Sequence, residues 1–93
     1  MIQSFADKPT ENLWLGPRPP ELPPSIHKVA LRKLTQLGAI SNLDELRIPP
    51  PNHLEALKRD RIGQHSIRVN DKYRVCFRWD GSNAHDVEIT DYH

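Results

Sequence analysis

Residues Gln64-His65-Ser66-Ile67-Arg68-Val69 and Tyr73-Arg74-Val75-Cys76-Phe77-Arg78-Trp79 alternate between two sets of side chains with a period of two. That period sends successive side chains to opposite faces of a strand. Ile67 and Val69 must share a face with Val75 and Phe77, or the apolar surface is split. Two hairpin registers meet the condition, pairing Val69 with either Tyr73 or Val75. Both gather Arg68, Arg74 and Arg78 on the other face, with Cys76 as a small filler among them. In the first register Arg68 stands directly opposite Arg74, a like-charge pair that weakens a sheet unless an anion lies between. Guanidinium forks match phosphate oxygens, so this face is a candidate phosphate-binding surface, with Lys58 and Arg61 at its border.

The neighbouring segments extend the pattern. Asp80-Gly81-Ser82-Asn83 is a hairpin signal, and Asp86-Val87-Glu88-Ile89-Thr90 reads as the last strand. Upstream, residues 54–58 read as a strand and residues 59–63 as the turn that follows. All nine prolines lie in the first 51 residues, so the second half is free to form an uninterrupted antiparallel meander. In the first half, Ile2 to Phe5 reads as a short opening strand and Gly16 to Pro24 as a loop. Ser25 to Leu37 places Ile26, Val29, Ala30, Leu34 and Leu37 at helical spacing, with Gly38 as its stop. Shorter helical turns are expected over Thr10–Leu15, capped by Thr10, and over Asn42–Leu46, capped by Ser41 or Asn42. So small a sheet needs cover. The expected fold is α+β, a small, mostly antiparallel sheet packed against two N-terminal helices, in one domain spanning residues 1–93.

With 93 residues, 37% of them hydrophobic, the chain has room for one core. No apolar run approaches the roughly 20 residues that cross a bilayer, so no membrane role is expected. Met1-Ile2-Gln3-Ser4-Phe5 lacks the basic start and apolar stretch of a secretory signal. Cys76 is the one cysteine, which excludes a disulfide framework and a thiolate zinc site and points to the cytoplasm. His27, His53, His65 and His85 show no metal-ligand spacing, and no cofactor is expected. The net charge of +1 hides an asymmetry. Arg47 to Arg78 holds eight basic and three acidic residues, whereas Trp79 to His93 holds four acids and no Lys or Arg. That concentration suggests a local anion site rather than a general nucleic-acid coating. Asp91-Tyr92-His93 adds a carboxylate, a phenol and an imidazole that titrates near neutrality.

The block from Leu54-Glu55-Ala56-Leu57-Lys58-Arg59-Asp60-Arg61 through the two alternating segments, together with the closing Asp91-Tyr92-His93, resembles the HigB toxins of the RelE/ParE superfamily. The likeness covers essentially the whole chain. Two positions depart from the family pattern: Arg59 stands where glycine is usual, and His65 where an aromatic is common. The resemblance implies a bacterial type II toxin that enters the ribosomal A site of the 30S subunit and cuts mRNA. It also implies a HigA-like helix-turn-helix antitoxin, through whose complex the toxin meets operator DNA.

The family chemistry has the 2′-hydroxyl attack the adjacent phosphorus, which calls for a base, a cationic cradle and an acid. On that basis Arg68 and Arg74 stabilise the transition state, while Lys58, Arg61 and Arg78 bind phosphate. His93 acts as general acid or base, Asp91 orients a neighbour or assists proton transfer, and Tyr92 contacts RNA. Glu55 occupies a place where some members carry a histidine and is a second proton-transfer candidate. Two other functions fit the same fold: a ParE-like gyrase inhibitor and a non-toxic co-repressor partner of the antitoxin.

Overall fold

The computed structural model describes residues 1–91; Tyr92 and His93 lie outside the described residues. Two helices come first, α1 (Lys8–Leu15) and α2 (Pro24–Ala39). Four strands follow, β1 (Glu55–Ala56), β2 (Gln64–Arg68), β3 (Tyr73–Trp79) and β4 (Ala84–Asp91), in the order β1-β2-β3-β4. Every neighbouring pair is antiparallel. This is the expected α+β meander with two N-terminal helices. Leu34 and Leu37 of α2 are completely buried with Ile67, Val75, Phe77 and Val87 of the sheet, and one apolar cluster joins the layers. No described helix is long and apolar enough to cross a membrane.

Helix α1 begins earlier than its sequence suggests. Asp7, not Thr10, is the N-cap, and its carboxylate accepts from the Thr10 amide at 3.0 Å. Thr10 is buried and uses its hydroxyl elsewhere, accepting from the amide of Ile89 in β4 at 2.9 Å. Gly16 does stop the helix, at φ 127°, a backbone geometry that disfavours any other residue. Gly38 does not stop α2. It lies inside the helix, where a Cβ would meet the Trp14 ring at 3.5 Å, so the glycine serves the approach of α1 to α2. The loop expected over residues 16–24 ends at Pro23, because Pro24 opens α2; it is irregular but anchored, with Pro19 and Leu22 buried and the Leu22 carbonyl 2.9 Å from His27 Nε2.

Beyond α2 the chain runs through a 3-10 turn at Leu43–Arg47, where Asn42 and Glu45 form a reciprocal capping box. A second 3-10 turn covers Pro50–Asn52. The strand expected over residues 54–58 shrinks to Glu55–Ala56 because left-handed residues bracket it, His53 at φ 45° and Arg59 at φ 56°. The opening strand is likewise reduced to two parallel bridges, Ile2 to Ala84 and Phe5 to Val87, along the outer edge of β4.

Candidate functional site

The β2–β3 register pairs Arg68 with Arg74, Ser66 with Cys76 and Gln64 with Arg78. It is the first of the two registers that alternation allows, and it places the like-charged arginines side by side. β1 sets Glu55 beside Ser66, while β4 sets Thr90 beside Arg74 and Glu88 beside Cys76. Two cross-sheet rows therefore form on the face away from the helices. One runs Glu55–Ser66–Cys76–Glu88 and the next Arg68–Arg74–Thr90.

Arg74 is the most deeply held of these cations, its side chain only 13% exposed. Its Nε donates to Ser66 Oγ at 2.7 Å, and Nη2 donates to the His53 carbonyl at 2.5 Å. The same Nη2 lies 3.2 Å from Glu55 Oε1. Fixed on three elements, the guanidinium has a defined plane. Arg68 pairs with Asp71, whose side chain is almost wholly in solvent. Exposed pairs of that kind contribute little, so a phosphate can replace the carboxylate at small cost.

The flanking cations divide into engaged and unengaged. Arg61 Nη1 donates to Glu88 at 3.0 Å and Gln64 at 3.1 Å in a half-buried cluster. Arg78 Nε is 3.5 Å from Asp86, with both groups half in solvent. Lys58 and Arg59 are exposed, and among the described residues neither has a carboxylate partner. Arg59 is a cation that sequence reading left out of the site, although its place in the turn between Lys58 and Arg61 was a usable signal. Beneath the charges Cys76 is fully buried, and that burial pushes its thiol up, with Glu88 adding to the effect against Arg61 and Arg74. It is a protonated filler.

The remaining candidates sit apart or out of view. Asp91 pairs with Tyr73 and, by strand alternation, belongs to the face of Ile89 rather than that of Arg68 and Arg74. Its carboxylate is 3.8 Å from Lys72 Nζ. The placements of Tyr92 and His93 lie outside the described residues. Sequence reading also missed Ser66 and the His53 carbonyl, which jointly orient Arg74. A groove of about 470 Å³ between α1 and α2, lined by Leu13, Trp14, Arg18, His27, Lys28 and Leu31, belongs to the helical layer and contains none of the candidate residues. No group of His, Cys, Asp and Glu among the described residues has the arrangement to hold a metal ion.

Comparison with known proteins agrees with this architecture. A toxin of Vibrio cholerae, HigB-1, is 40% identical over 80 residues, covering 85% of this chain and 84% of its own. An uncharacterized protein of Haemophilus influenzae is 35% identical over 69 residues, 74% of this chain and 68% of that one. The family model for HigB-like toxins, RelE-like toxins of type II toxin–antitoxin systems, matches residues 3–93. A chain that carries this sheet and matches the model over nearly its full length is a member of the HigB-like toxin family, and as a type II toxin it has an antitoxin for a partner.

Proposed function

We propose that the protein is a ribosome-dependent endoribonuclease that cleaves mRNA in the A site and is neutralised by a HigA-like helix-turn-helix antitoxin. The observation that carries this reading is the direct pairing of Arg68 with a rigidly oriented Arg74 on the solvent side of the sheet. Two guanidiniums in that relation favour an anion bridging them, and the phosphodiester of a codon can displace the exposed Asp71 carboxylate to supply it. Lys58 and Arg59, in the turn between β1 and β2, extend the positive surface toward flanking phosphates.

In the reaction the 2′-oxygen forms a bond to phosphorus and the bond from phosphorus to the 5′-oxygen breaks. The products are a 2′,3′-cyclic phosphate and a 5′-hydroxyl. The 2′-hydroxyl proton passes to a base, and the leaving 5′-oxygen takes a proton from an acid. Arg68 and Arg74 carry the charge that develops on the non-bridging oxygens. His93 moves protons and Tyr92 holds the base or ribose. Asp91, held by Lys72, orients the residues that follow it. Glu55 is engaged by Arg74, which makes it the weaker candidate for proton transfer beside His93. DNA lacks the attacking hydroxyl and is refused.

Primer extension on a defined mRNA, with and without translating ribosomes, tests the proposal. Wild type should cut within A-site codons only when ribosomes are present. Folded His93→Ala should lose about 10²–10⁴-fold in cleavage, and Arg74→Ala should be similarly impaired. Cuts that survive His93→Ala would transfer the proton role to Glu55 or the ribosome. Absence of cutting while DNA supercoiling fails would overturn the nuclease in favour of a gyrase inhibitor. Harmless expression of soluble protein would favour the co-repressor.

A further inference from the structure

Asn52 is completely buried although it lies in an irregular, proline-rich connection. Its Oδ1 accepts from Lys33 Nζ. Its Nδ2 donates to Gln36 Oε1 at 3.1 Å and to the Leu46 carbonyl at 3.0 Å, with the Ile48 carbonyl at 3.5 Å. Lys33 and Gln36 both belong to α2, and Gln36 reaches back to the Ile48 carbonyl at 2.7 Å. Lys33 is itself only 7% exposed. Burial, with a smaller contribution from Arg32, lowers its pKa. Burying an ammonium and an amide together is costly unless each is well satisfied. A connection that merely crossed from helix to sheet could be covered by apolar contacts at no such cost.

The next residues show what the cluster fixes. His53, immediately after Asn52, takes the left-handed conformation at φ 45° and ψ 60°. Its carbonyl accepts from Arg74 Nη2 at 2.5 Å, and two residues later Glu55 approaches the same nitrogen at 3.2 Å. Residues 52–55 therefore pass from the helical layer round the edge of the sheet to the arginine face. Ser66 holds Nε through its hydroxyl but reaches Nη2 only through its carbonyl at 3.4 Å. The His53 carbonyl, at 2.5 Å, makes the shortest contact at that second nitrogen.

We propose that Asn52, clamped by Lys33 and Gln36 of α2, is a positioning residue that sets the Arg74 guanidinium for phosphate through the His53 carbonyl. The inference rests on the reading of the arginine pair as the phosphate site, and it extends that site across the molecule to α2. An error of an ångström or a few tens of degrees in such a group is enough to weaken a preorganised anion contact. Removal of the clamp releases the carbonyl and leaves the Arg74 Nη2 to the exposed Glu55 and the more distant Ser66 carbonyl, with Nε still on the Ser66 hydroxyl.

Nitrogen-15 NMR of the Arg74 Nη2–H group, which donates to the His53 carbonyl and is assigned by its disappearance in Arg74→Lys, separates positioning from simple stabilisation. Asn52→Ala and Lys33→Met are compared with wild type for Nη2–H exchange with water and for the shift induced by inorganic phosphate. Both variants should exchange at least about fivefold faster, the loss expected for one hydrogen bond, and should bind phosphate more weakly. Lys33→Met keeps the length of the side chain and the Asn52 Nδ2 contacts while removing the Oδ1 one, so it carries the test if Asn52→Ala does not fold. A lower melting temperature with unchanged Arg74 exchange in the folded variants would overturn the clamp. Faster exchange in the variants, with no effect of phosphate on wild-type Arg74, would overturn the phosphate site and leave the clamp standing.

Discussion

Arg59 shows how one residue serves two ends that conflict. Its φ of 56° is a left-handed geometry that costs a side-chain-bearing residue about 1–2 kcal/mol. Glycine takes that geometry freely, which is the physical reason it suits this turn, though glycine loses about 0.5–1 kcal/mol more in chain entropy on folding. Arg59→Gly should therefore raise stability by about 0.5–1 kcal/mol in urea unfolding. It should also weaken phosphate or RNA binding, because Arg59, like Lys58, is an exposed cation at the border of the arginine face with no carboxylate partner among the described residues. A variant less stable than wild type would mean that the arginine stem holds the turn by packing. Arg74 illustrates the opposite economy: its charge is committed to Ser66, His53 and Glu55, and orientation is what it gains.

The β3–β4 hairpin is the element whose stability should answer most plainly to pH. Its turn is organised by Asp80, whose Oδ1 accepts from the amides of Ser82 at 2.8 Å and Asn83 at 2.7 Å. Oδ2 lies 2.7 Å from His85 Nε2. The His85 hydrogen bond first, and then the two amides, hold the Asp80 carboxyl at about 2. A carboxyl depressed on folding stabilises the native state above its unfolded value of about 3.9, and that contribution disappears as pH falls through about 2. The melting-temperature gap between wild type and Asp80→Asn should be constant above about pH 4, narrow below it and close near pH 2. A gap that persists at pH 2 would assign the effect to turn geometry instead of charge. The hairpin was also the most legible part of the sequence, since Asp-Gly between two period-two segments has few other readings. The same alternation put Arg68 and Arg74 on one face but left two registers open, of which the structure takes the one that sets them opposite; continued along Val87, Ile89 and Asp91 it also tells that Asp91 faces away from them. Asn52, His53 and Ser66 escaped because their contacts join irregular segments to a helix or strand many residues away, where no period is written. Gly38 escaped for a related reason: a glycine that admits a tryptophan ring and one that ends a helix look alike in sequence.

Both borders of the sheet are closed by short pieces of chain, and the molecule has little charge with which to manage without them. On one side β1 covers part of β2 with two residues. On the other, residues 1–6 lie along β4. There Gln3 and Ala6 donate to the carbonyls of Ala84 and Val87 at 2.8 and 2.9 Å. The amides of Ala84 and Val87 donate back to Met1 and Ser4 at 3.0 and 3.1 Å. Ser4 Oγ takes the Asp86 amide where the strand bulges at φ 52°. The segment also contributes Ile2 and Phe5 to the apolar cluster, with the Phe5 ring 6.5 Å from that of Trp14. Deletion of residues 2–6 would uncover five backbone groups between Ala84 and Val87 on an eight-residue strand, a template for pairing with another chain. A net charge of +1 offers almost no repulsion to oppose that pairing. At equal concentration the truncated chain should therefore sediment as larger species than the full chain while keeping its β-sheet circular dichroism. Loss of the β signal would show that Ile2 and Phe5 are needed for the core itself, and unchanged sedimentation with an intact sheet would show that the β4 edge is protected by its twist and bulge alone.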